Sequence, residues 1–406
     1  MQRPRPSQAP ASVDDVRRRN LGSLLGLVHA RGAISRADLT ALTGLNRSTV
    51  GALTADLAEA GLVRESAPVG HGRAGRPSIM VEPESNGVYA IALDIGVAHM
   101  TALRLGLGGV VLDRRNVEQR GDYTLRSTLT RATRLVRSLL AAAPPGGRCV
   151  GIGVGVCGAV STDDGVVRFA PNLGWVDVPL MPLLARRLAT DVPIDVGNDG
   201  DLGARAEHLR GVARGLSEVV YIAGEVGIGG GLILSGNPVR GTGGYAGEIG
   251  HMVVDPKGLH CRCGRRGCWE TQINDAAVLS ATGAPEGMSP LEVLEAYAAG
   301  ERWAQAGVRR IGRALGSGVA DLVNIFNPQL IVFGGPVRHV YAATEPIVRE
   351  ALAAALVAPA EQVQLAVAGL GDDAVAVGAA ELGFVRLLED PLGALGRLPV
   401  ALQQGA

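Results

Sequence analysis

The sequence predicts an α/β protein that carries a small helical module at its N-terminus. Three observations support this fold class. Residues 13–64 show the helical spacing of apolar residues. From residue 88 onward, short apolar runs bounded by glycine or acids alternate with helical stretches, a pattern typical of α/β folds with largely parallel sheets. These runs fall into two halves, before and after about residue 200, which predicts two lobes with a cleft between them.

Length and composition indicate a globular chain of more than one domain. The chain has 406 residues, of which 47% are hydrophobic, and its 39 basic and 39 acidic residues balance. This length exceeds one compact core, so two or three domains are expected. Residues 1–80 hold 11 Arg against 6 Asp or Glu, a net charge of +5. A basic module on an acidic body indicates nucleic acid as the partner of the first part.

The chain shows no signal for a membrane or for secretion. No apolar run approaches the roughly 20 residues of a membrane span, and the start MQRPRPSQAPAS lacks the apolar core of a signal peptide. We therefore expect a cytoplasmic protein with no membrane partner. Five cysteines in a reducing compartment are not expected to form disulfides. Three of them crowd between residues 261 and 268, which indicates a metal site.

Three short helices are predicted near the N-terminus. The first has an apolar face at helical spacing, formed by Leu21, Leu24, Leu25 and Val28. Ser35 and Asp38 form a capping box for the second helix, and Gly44 ends it. Asn46 can cap the third helix. Three such helices with a glycine-containing turn before the last are typical of a helix-turn-helix.

The third helix is the candidate DNA-reading element. Its inward residues are Val50, Leu53 and Leu57, and its outward residues near the N-terminus are Arg47, Ser48, Thr49 and Ala52. Two apolar stretches, LVRE and IMVE, then flank a tip rich in Gly, Arg and Pro, which predicts the wing of a winged helix. A flexible hinge is the alternative. In a wing, Arg73 and Arg76 would reach the DNA backbone or the adjacent minor groove.

The segment GEIGHMVVDPKGLHCRCGRRGCWE carries the strongest chemical signal. His251, Cys261, Cys263 and Cys268 supply four ligands of the kind that a structural Zn²⁺ prefers. His260 is a possible competing ligand. Four protein ligands leave no position for a reactive water, so we expect the metal to fix a loop rather than to perform chemistry.

This segment closely resembles the signature of the ROK family of repressors, unnamed reading frames and sugar kinases. Further resemblance comes, in the family's order, from IGVGVCGAV, APNLGW, GNDGDLGARAEHLRG and GEVGIGGGLILSGNPVRGTGGYAGEIGH. It covers about residues 88–385, and the preceding winged helix matches the xylose-repressor-like branch. The resemblance implies an actin-like (ribonuclease H-like) sugar-kinase fold, whose two α/β lobes close on a sugar and, in kinases, on ATP.

The patterns and the resemblance together divide the chain. The expected parts are a winged helix-turn-helix at 1–82 with 1–12 disordered, a linker at 83–87, lobe 1 at 88–197, lobe 2 at 198–371 with a zinc loop at 251–268, and a tail at 391–406. A C-terminal helix at about 372–390 is expected to pack back on lobe 1.

The resemblance also implies a set of sugar-binding residues, namely Asn172, Asn198, Asp199, Glu248, His251 and Glu270. In the family's kinases the aspartate that matches Asp199 is the general base for the attacked hydroxyl, so Asp199 would be catalytic only in a kinase. His251 could offer one ring nitrogen to zinc and the other to the sugar.

The loops that would hold ATP depart from the kinase pattern. The stretch ALDIGVAHM keeps Asp94 and Gly96 but has Ala98 and His99 where the family's kinases have Thr and Lys. In the glycine-rich GEVGIGGG, Glu225 and the following Val replace the usual Thr-Gly pair. A lost lysine and an added carboxylate both disfavour phosphate, so ATP is not expected to bind.

The resemblance thus implies a sugar-responsive repressor of carbohydrate-utilisation genes that a sugar releases from its operator. A homodimer, or a dimer of dimers, would bind two half-sites of operator DNA. The alternative is an ATP-dependent sugar kinase with an appended DNA-binding module. A third possibility, a docking protein that releases DNA when a transporter subunit binds, leaves no identifiable feature in the chain. Family members bind glucose, mannose, xylose and acetylated amino sugars, and the sequence does not select among them.

Overall fold

The computed structural model describes residues 12–67, 78–119, 121, 123–224, 226–353 and 355–397. Arg73, Arg76 and Glu225 lie outside the described residues, as do 1–11 of the segment predicted to be disordered. The strands are β1 (Ile34–Ser35), β2 (Val63–Ser66), β3 (Met80–Pro83), β4 (Val88–Ile95), β5 (His99–Gly106), β6 (Val110–Glu118), β7 (Arg148–Val156), β8 (Ala159–Ser161), β9 (Val166–Ala170), β10 (Trp175–Val178), β11 (Ile194–Asn198), β12 (Val219–Ala223), β13 (Gly229–Leu234), β14 (Asn237–Pro238), β15 (Leu330–Phe333) and β16 (Gln364–Val367).

The α-helices are α1 (Val13–Arg31), α2 (Arg36–Thr43), α3 (Arg47–Glu59), α4 (Leu125–Ala141), α5 (Leu180–Leu188), α6 (Asp199–Arg210), α7 (Glu270–Ile273), α8 (Asp275–Thr282), α9 (Pro290–Ala298), α10 (Arg302–Phe326), α11 (Val337–Leu352), α12 (Val357–Gln362), α13 (Ala374–Gly383), α14 (Val385–Glu389) and α15 (Pro391–Gly396). None of the helices in the described part of the chain is both long enough and apolar enough to cross a membrane.

The N-terminal module consists of α1–α3 and the small antiparallel sheet β1-β3-β2. Ser35 and Asn46 cap α2 and α3 as predicted, because their side chains accept from the backbone N–H groups of Asp38 and Thr49. The predicted capping box is formed only by half, because the Asp38 carboxylate accepts from Ser35 Oγ rather than from the backbone N–H of Ser35. Gly44 ends α2 in the left-handed conformation. The two strands predicted on either side of the Gly/Arg/Pro tip are confirmed as the antiparallel pair β2 and β3.

The predicted apolar faces of this module are confirmed by burial. Every residue predicted to face inward from the first and third helices is buried, namely Leu21, Leu24, Leu25, Val28, Val50, Leu53 and Leu57. Helix α1 also packs outside its own module. A methyl group on Gly22 would clash with the carbonyl oxygen of Leu388 in α14, so α1 lies directly against the C-terminal helices.

The first large sheet has the strand order β11-β7-β4-β5-β6. Strands β11, β7 and β4 are parallel, but β4, β5 and β6 are antiparallel. The prediction of largely parallel sheets was therefore wrong. The reason is the length of the connections, because the turns after β4 and β5 span only a few residues and cannot hold the crossover that parallel strands need.

The second large sheet repeats this mixed pattern in the order β14-β13-β12-β15-β16. Its β12, β15 and β16 are parallel, whereas β12, β13 and β14 are antiparallel. The change from one sheet to the other falls at residue 199, close to the predicted division at about residue 200.

Two helices, α6 and α13, lie where the sheets meet. Helix α13 packs on β4 and β7 of the first sheet so closely that a methyl group on Gly153 would overlap the carbonyl oxygen of Ala379. Helix α6 packs on β12 and β13 of the second sheet and also against α13. Because α6 begins at the end of β11, its N-terminus lies at the edge where the two sheets face each other.

Candidate functional site

A cavity of about 600 Å³ lies between the two sheets. Its lining comes from the turn after β4, the start of α6, the glycine-rich loop before β13 and the segment between residues 248 and 280. All six residues that the sequence singled out for sugar binding line it, namely Asn172, Asn198, Asp199, Glu248, His251 and Glu270.

A cluster of thiols and one imidazole lies beside this cavity. The ligand atoms of His251, Cys261, Cys263 and Cys268 are all within 4.8 Å of one another. Cys261 Sγ is 3.7 Å from His251 Nδ1, and Cys263 Sγ is 3.6 Å from Cys268 Sγ. Thiolates bound tetrahedrally at about 2.3 Å from zinc would be about 3.8 Å apart. The geometry and chemistry of the cluster therefore fit a metal ion. His260 lines the cavity but lies outside the cluster.

Glu270, the first residue of α7, joins the cluster to the glycine-rich loop. Its Oε1 accepts from the thiol of Cys261 at 2.7 Å, and its Oε2 accepts from the backbone N–H of Ile228 at 3.2 Å. Glu248 lies on the other side of the imidazole, with Oε2 3.9 Å from His251 Nε2. His251 thus has Nδ1 toward the Cys261 thiol and Glu270 Oε1, each 3.7 Å away, and Nε2 toward Glu248.

Asn198 and Asp199 lie at the start of α6. Asn198 is the N-cap: its Oδ1 accepts from the N–H groups of Gly200 and Asp201, and its Nδ2 donates to Gly158 O at 2.9 Å. Burial raises the pKa of Asp199 to about 6, and the nearby negative charge of Glu248 adds to this shift. The Asn198 side chain also hydrogen-bonds to the Asp199 carboxylate, which opposes this rise in the pKa of Asp199.

Asn172 approaches the cleft from the first lobe, in the connection between β9 and β10. Its Oδ1 accepts a hydrogen bond of 2.7 Å from Arg262 Nη1. Arg262 lies between two of the clustered cysteines and lines the cavity. Sequence reasoning missed this arginine because it occupies an unremarkable position inside the Cys-X-Cys motif, and its partner is 90 residues away.

The glycines of the glycine-rich loop are required by packing. A methyl group on Gly227 would lie 2.8 Å from Glu270 Oε2, and one on Gly224 would overlap the carbonyl oxygen of Gly227. These close approaches explain the glycines without any phosphate. Glu225, the residue predicted to repel phosphates here, lies outside the described residues.

The stretch ALDIGVAHM forms β4, a tight turn and the start of β5. Gly96 N donates to His99 O at 3.1 Å, which closes the turn, and Gln119 Nε2 donates to Gly96 O at 2.6 Å. Asp94 is buried at the end of β4. The turn therefore serves an antiparallel hairpin, with Ala98 exposed at its tip.

The candidate DNA-contacting residues lie far along the chain from this cavity, at the start of α3. Arg47, Ser48 and Ala52 are exposed, and Thr49 is half-buried. Ser48 Oγ donates to the Asn46 side chain at 2.7 Å, so it also supports the helix cap. Arg73 and Arg76 belong to the tip that the structure does not describe.

Comparisons with known proteins agree with this architecture. The profile described as "ROK family" matches residues 90–384. A putative xylose repressor from Caldicellulosiruptor sp. (strain Rt8B.4) is 32% identical over 317 residues, which covers 74% of this chain and 79% of that protein. A glucokinase from Halalkalibacterium halodurans is 34% identical over 253 residues, which covers 56% of this chain and 74% of the glucokinase.

The fold is also similar to a solved structure of a ROK family transcriptional regulator, a homolog of the E. coli MLC protein. The TM-score is 0.77 at 25% identity, and the match covers 94% of this chain and 99% of that one. Since residues 1–82 make up a fifth of the chain, a match of this extent includes most of the N-terminal module as well as both lobes.

Proposed function

The chain belongs to the ROK family, and on that premise we propose that it is a sugar-responsive transcriptional repressor of carbohydrate-utilisation genes. One observation carries the proposal: a single chain joins a helix-turn-helix, whose third helix has an exposed N-terminus, to a cleft lined by hydrogen-bonding side chains. Its relatives include both repressors and kinases, and the repressor match covers more of this chain than the glucokinase match does.

The sugar is proposed to lie in the interlobe cavity. Carboxylates of Asp199, Glu248 and Glu270 would accept hydrogen bonds from its hydroxyls, and the amide of Asn198, which also bonds to Asp199, would donate one. Asn172 would contribute from the opposite lobe. The convergence of all six residues, from four separate parts of the chain, on one cavity supports this assignment.

The ion proposed for the cluster is Zn²⁺ in a structural role. Three thiolates and one imidazole complete a tetrahedral set, which leaves no place for a reactive water. Bound zinc would fix the segment that carries His251 and Cys268, and so would position Glu270 beside the cavity. His251 would bind the ion through Nδ1 and leave Nε2 for the ligand, which supports a link between the metal and sugar sites.

Operator DNA is proposed to bind at the N-terminus of α3 through Arg47, Ser48, Thr49 and Ala52, with Arg73 and Arg76 of the tip as further contacts. Each good base contact contributes about 1–3 kcal/mol of discrimination. One winged helix is too weak to select a single operator in a genome, so a homodimer or a dimer of dimers that binds two half-sites is expected.

Release of the operator is proposed to follow from linkage. If the sugar binds better to a lobe-closed state whose two DNA-binding modules no longer match the half-site spacing, sugar and DNA weaken each other by the same factor. Couplings of this kind are typically about 5- to 150-fold.

A second candidate function is an ATP-dependent sugar kinase. It is favoured by Asp199, which lies in the cleft with a pKa raised to about 6, a range that suits a general base. Against it stand Ala98 and His99, which replace the threonine and lysine of kinase phosphate loops, so we propose that ATP does not bind. A coupled assay with Mg-ATP across common hexoses and pentoses separates the two functions. Turnover that Asp199→Asn abolishes would establish the kinase.

The ligand itself is best identified by a thermal-shift screen of sugars with the zinc-loaded full-length protein. A sugar that binds the folded state must raise the melting temperature by mass action. We expect D-xylose, D-glucose or a related sugar to do so, and Asp199→Asn to abolish the shift. A panel in which no sugar changes the melting temperature would contradict the proposed sensor.

A further inference from the structure

Helix α6 connects the cleft to the DNA-binding module. It begins at Asp199, beside the cavity, and ends at Arg210. Twelve helical residues span about 17 Å at 1.5 Å per residue. One short, straight element therefore has a candidate sugar ligand at one end and an arginine at the other.

Arg210 contacts three separate elements. Its Nε donates to Glu381 Oε1 of α13 at 2.8 Å. Its Nη1 donates to the carbonyl oxygen of His29 in α1 at 2.7 Å and to that of Gly108, in the β5–β6 turn, at 3.2 Å. The guanidinium thus holds together lobe 1, the C-terminal helices and the first helix of the DNA-binding module.

His29 and Glu381, two of the partners of Arg210, are buried. His29 is 3% exposed and Glu381 is 0% exposed, and His29 Nε2 lies 2.7 Å from Glu381 Oε2. The backbone N–H of Gly108 donates to His29 Nδ1 at 2.9 Å, and His29 Nε2 also lies 2.7 Å from Arg210 Nη2. Displacement of Arg210 would remove the guanidinium that bonds directly to the buried Glu381 carboxylate, which is costly even though the charge of Arg205 also acts on Glu381. These bonds therefore favour one arrangement of α1, α13 and the turn between β5 and β6.

Helix α6 is packed too tightly to absorb a displacement along its length. A methyl group on Gly200 would lie 2.6 Å from the carbonyl oxygen of Gly230, and one on Gly203 would overlap the ring of Tyr221. Both partners belong to the second sheet. Helix α6 packs as closely on α13, where a methyl group on Gly378 would overlap the carbonyl oxygen of Leu202. Gly108 lies in the turn that joins β5 and β6 of the first sheet.

We propose that Arg210 is the positioning residue through which sugar in the cleft changes the orientation of the DNA-binding module. The inference rests on the proposed function and adds to it the contacts that link the sugar site to the DNA-binding module. When the lobes close on a sugar, a shift of α6 would move the guanidinium against the carbonyl oxygens of His29 and Gly108. Since His29 bonds to both Arg210 and Glu381, α1 must then change its position with them.

The test compares coupling in the wild-type chain with coupling in two variants. Arg210→Lys keeps a positive charge beside Glu381 but loses the guanidinium N–H groups that donate to the carbonyl oxygens of His29 and Gly108. The double variant Arg210→Met with Glu381→Gln removes both charges and so avoids an unpaired buried carboxylate. Arg214→Ala is the matched control, because Arg214 is a neighbouring exposed arginine that also bonds to α1, at Ala30 O.

The measured quantity is the operator Kd, with and without saturating D-xylose or D-glucose. The DNA probe is a duplex that the wild-type protein selects from a random-sequence pool. Its binding is measured by fluorescence anisotropy. We expect the sugar to change the Kd about 5- to 150-fold in the wild type and in Arg214→Ala, but about twofold or less in both Arg210 variants. The sugar's own Kd, measured without DNA by calorimetry, should stay near the wild-type value in every variant.

A purely structural role would lower the melting temperature of the variants but would leave the ratio of the two operator Kd values unchanged. Such an unchanged ratio overturns the inference while the proposed function stands. Equal loss of coupling in Arg214→Ala would overturn it too, because any loosening near α1 would then suffice. If no sugar changes the operator Kd of the wild-type protein, both proposals are overturned. The wild-type measurement comes first, so this outcome is known before any variant is made.

Discussion

Among the residues proposed to bind the sugar, Asp199 has a carboxyl group whose pKa is strongly raised. Burial raises its pKa to about 6, well above the usual 3.8, and Glu248 adds repulsion. Asp199 is therefore protonated below about pH 6 and ionised above it. The carboxylate is the stronger acceptor for a sugar hydroxyl, so ligand binding favours the ionised form.

The first prediction concerns the pH dependence of sugar binding. As the pH falls through about 6, the sugar Kd should rise, by about tenfold per pH unit at the limit where only the carboxylate binds. Calorimetry between pH 5 and pH 8 measures this. Asp199→Asn should bind more weakly and lose the slope near pH 6. If this variant kept the wild-type slope, another group would be responsible.

The second prediction concerns Cys268, which is fully buried in the thiol cluster. Cys268→Ser should reduce the zinc content from about one ion per chain to a small fraction and lower the melting temperature, because a structural site is closed by four ligands. Metal analysis of purified protein and a thermal melt measure both effects. Cys149→Ser is the matched control, since Cys149 is also buried but lies in β7, outside the cluster. Equal zinc content in both variants would argue against the site.

At the scale of elements, the contact between α1 and the C-terminal helices fixes the DNA-binding module to the body. Two glycines of α1 have opposite surroundings. A methyl group on Gly22 would clash with Leu388 O, whereas one on Gly26 would meet nothing within 4 Å. Alanine substitutions at Gly22 and Gly26 can therefore be compared on the same helix.

The third prediction follows from this comparison. Gly22→Ala should destabilise the protein by about 1–3 kcal/mol, as overpacking does. Gly26→Ala should stabilise it by about 0.5–1 kcal/mol, because alanine has the higher helix propensity. Urea unfolding of both variants measures the difference. Similar effects of the two substitutions would mean that α1 does not dock on α14 as described.

The fourth prediction concerns α3. Arg47→Ala should weaken binding to the selected duplex by about 1–3 kcal/mol and leave binding to random-sequence DNA nearly unchanged, if Arg47 reads a base. The control is Arg18→Ala on α1, where the guanidinium is paired with Asp15 at 2.7 Å. Anisotropy at several salt concentrations separates the two roles. An equal loss on both kinds of DNA would indicate that Arg47 contacts phosphate only.

Elements that are specified by residues close together in the chain could be predicted from the sequence. The caps at Ser35 and Asn46 and the apolar face of α1 need only residues that are close in the chain, and the structure confirms them. Strand direction was missed because the turn between β4 and β5 contains Val97 and Ala98 rather than residues typical of turns. The turn is closed by Gly96 N, which donates to His99 O, and Gln119, which follows β6, donates to Gly96 O.

At the scale of the whole molecule, the candidate site was predictable in part. The four residues of the thiol and imidazole cluster lie within 18 residues, so their spacing alone indicated a candidate metal site. The contact of His29 with Arg210 and Glu381 joins residues 352 positions apart, and that of Asn172 with Arg262 spans 90. Such pairs carry no periodicity or motif. Only the folded arrangement of the lobes and the N-terminal module brings them together.

The central claim is that sugar in the interlobe cleft controls DNA binding by the N-terminal module. It is tested most directly by titrating D-xylose and D-glucose into the zinc-loaded wild-type protein bound to its selected duplex, with fluorescence anisotropy as the readout. We predict that one of these sugars releases the duplex, and that Asp199→Asn requires a much higher concentration of that sugar. Tighter DNA binding with sugar, or no response at any concentration, would contradict the claim.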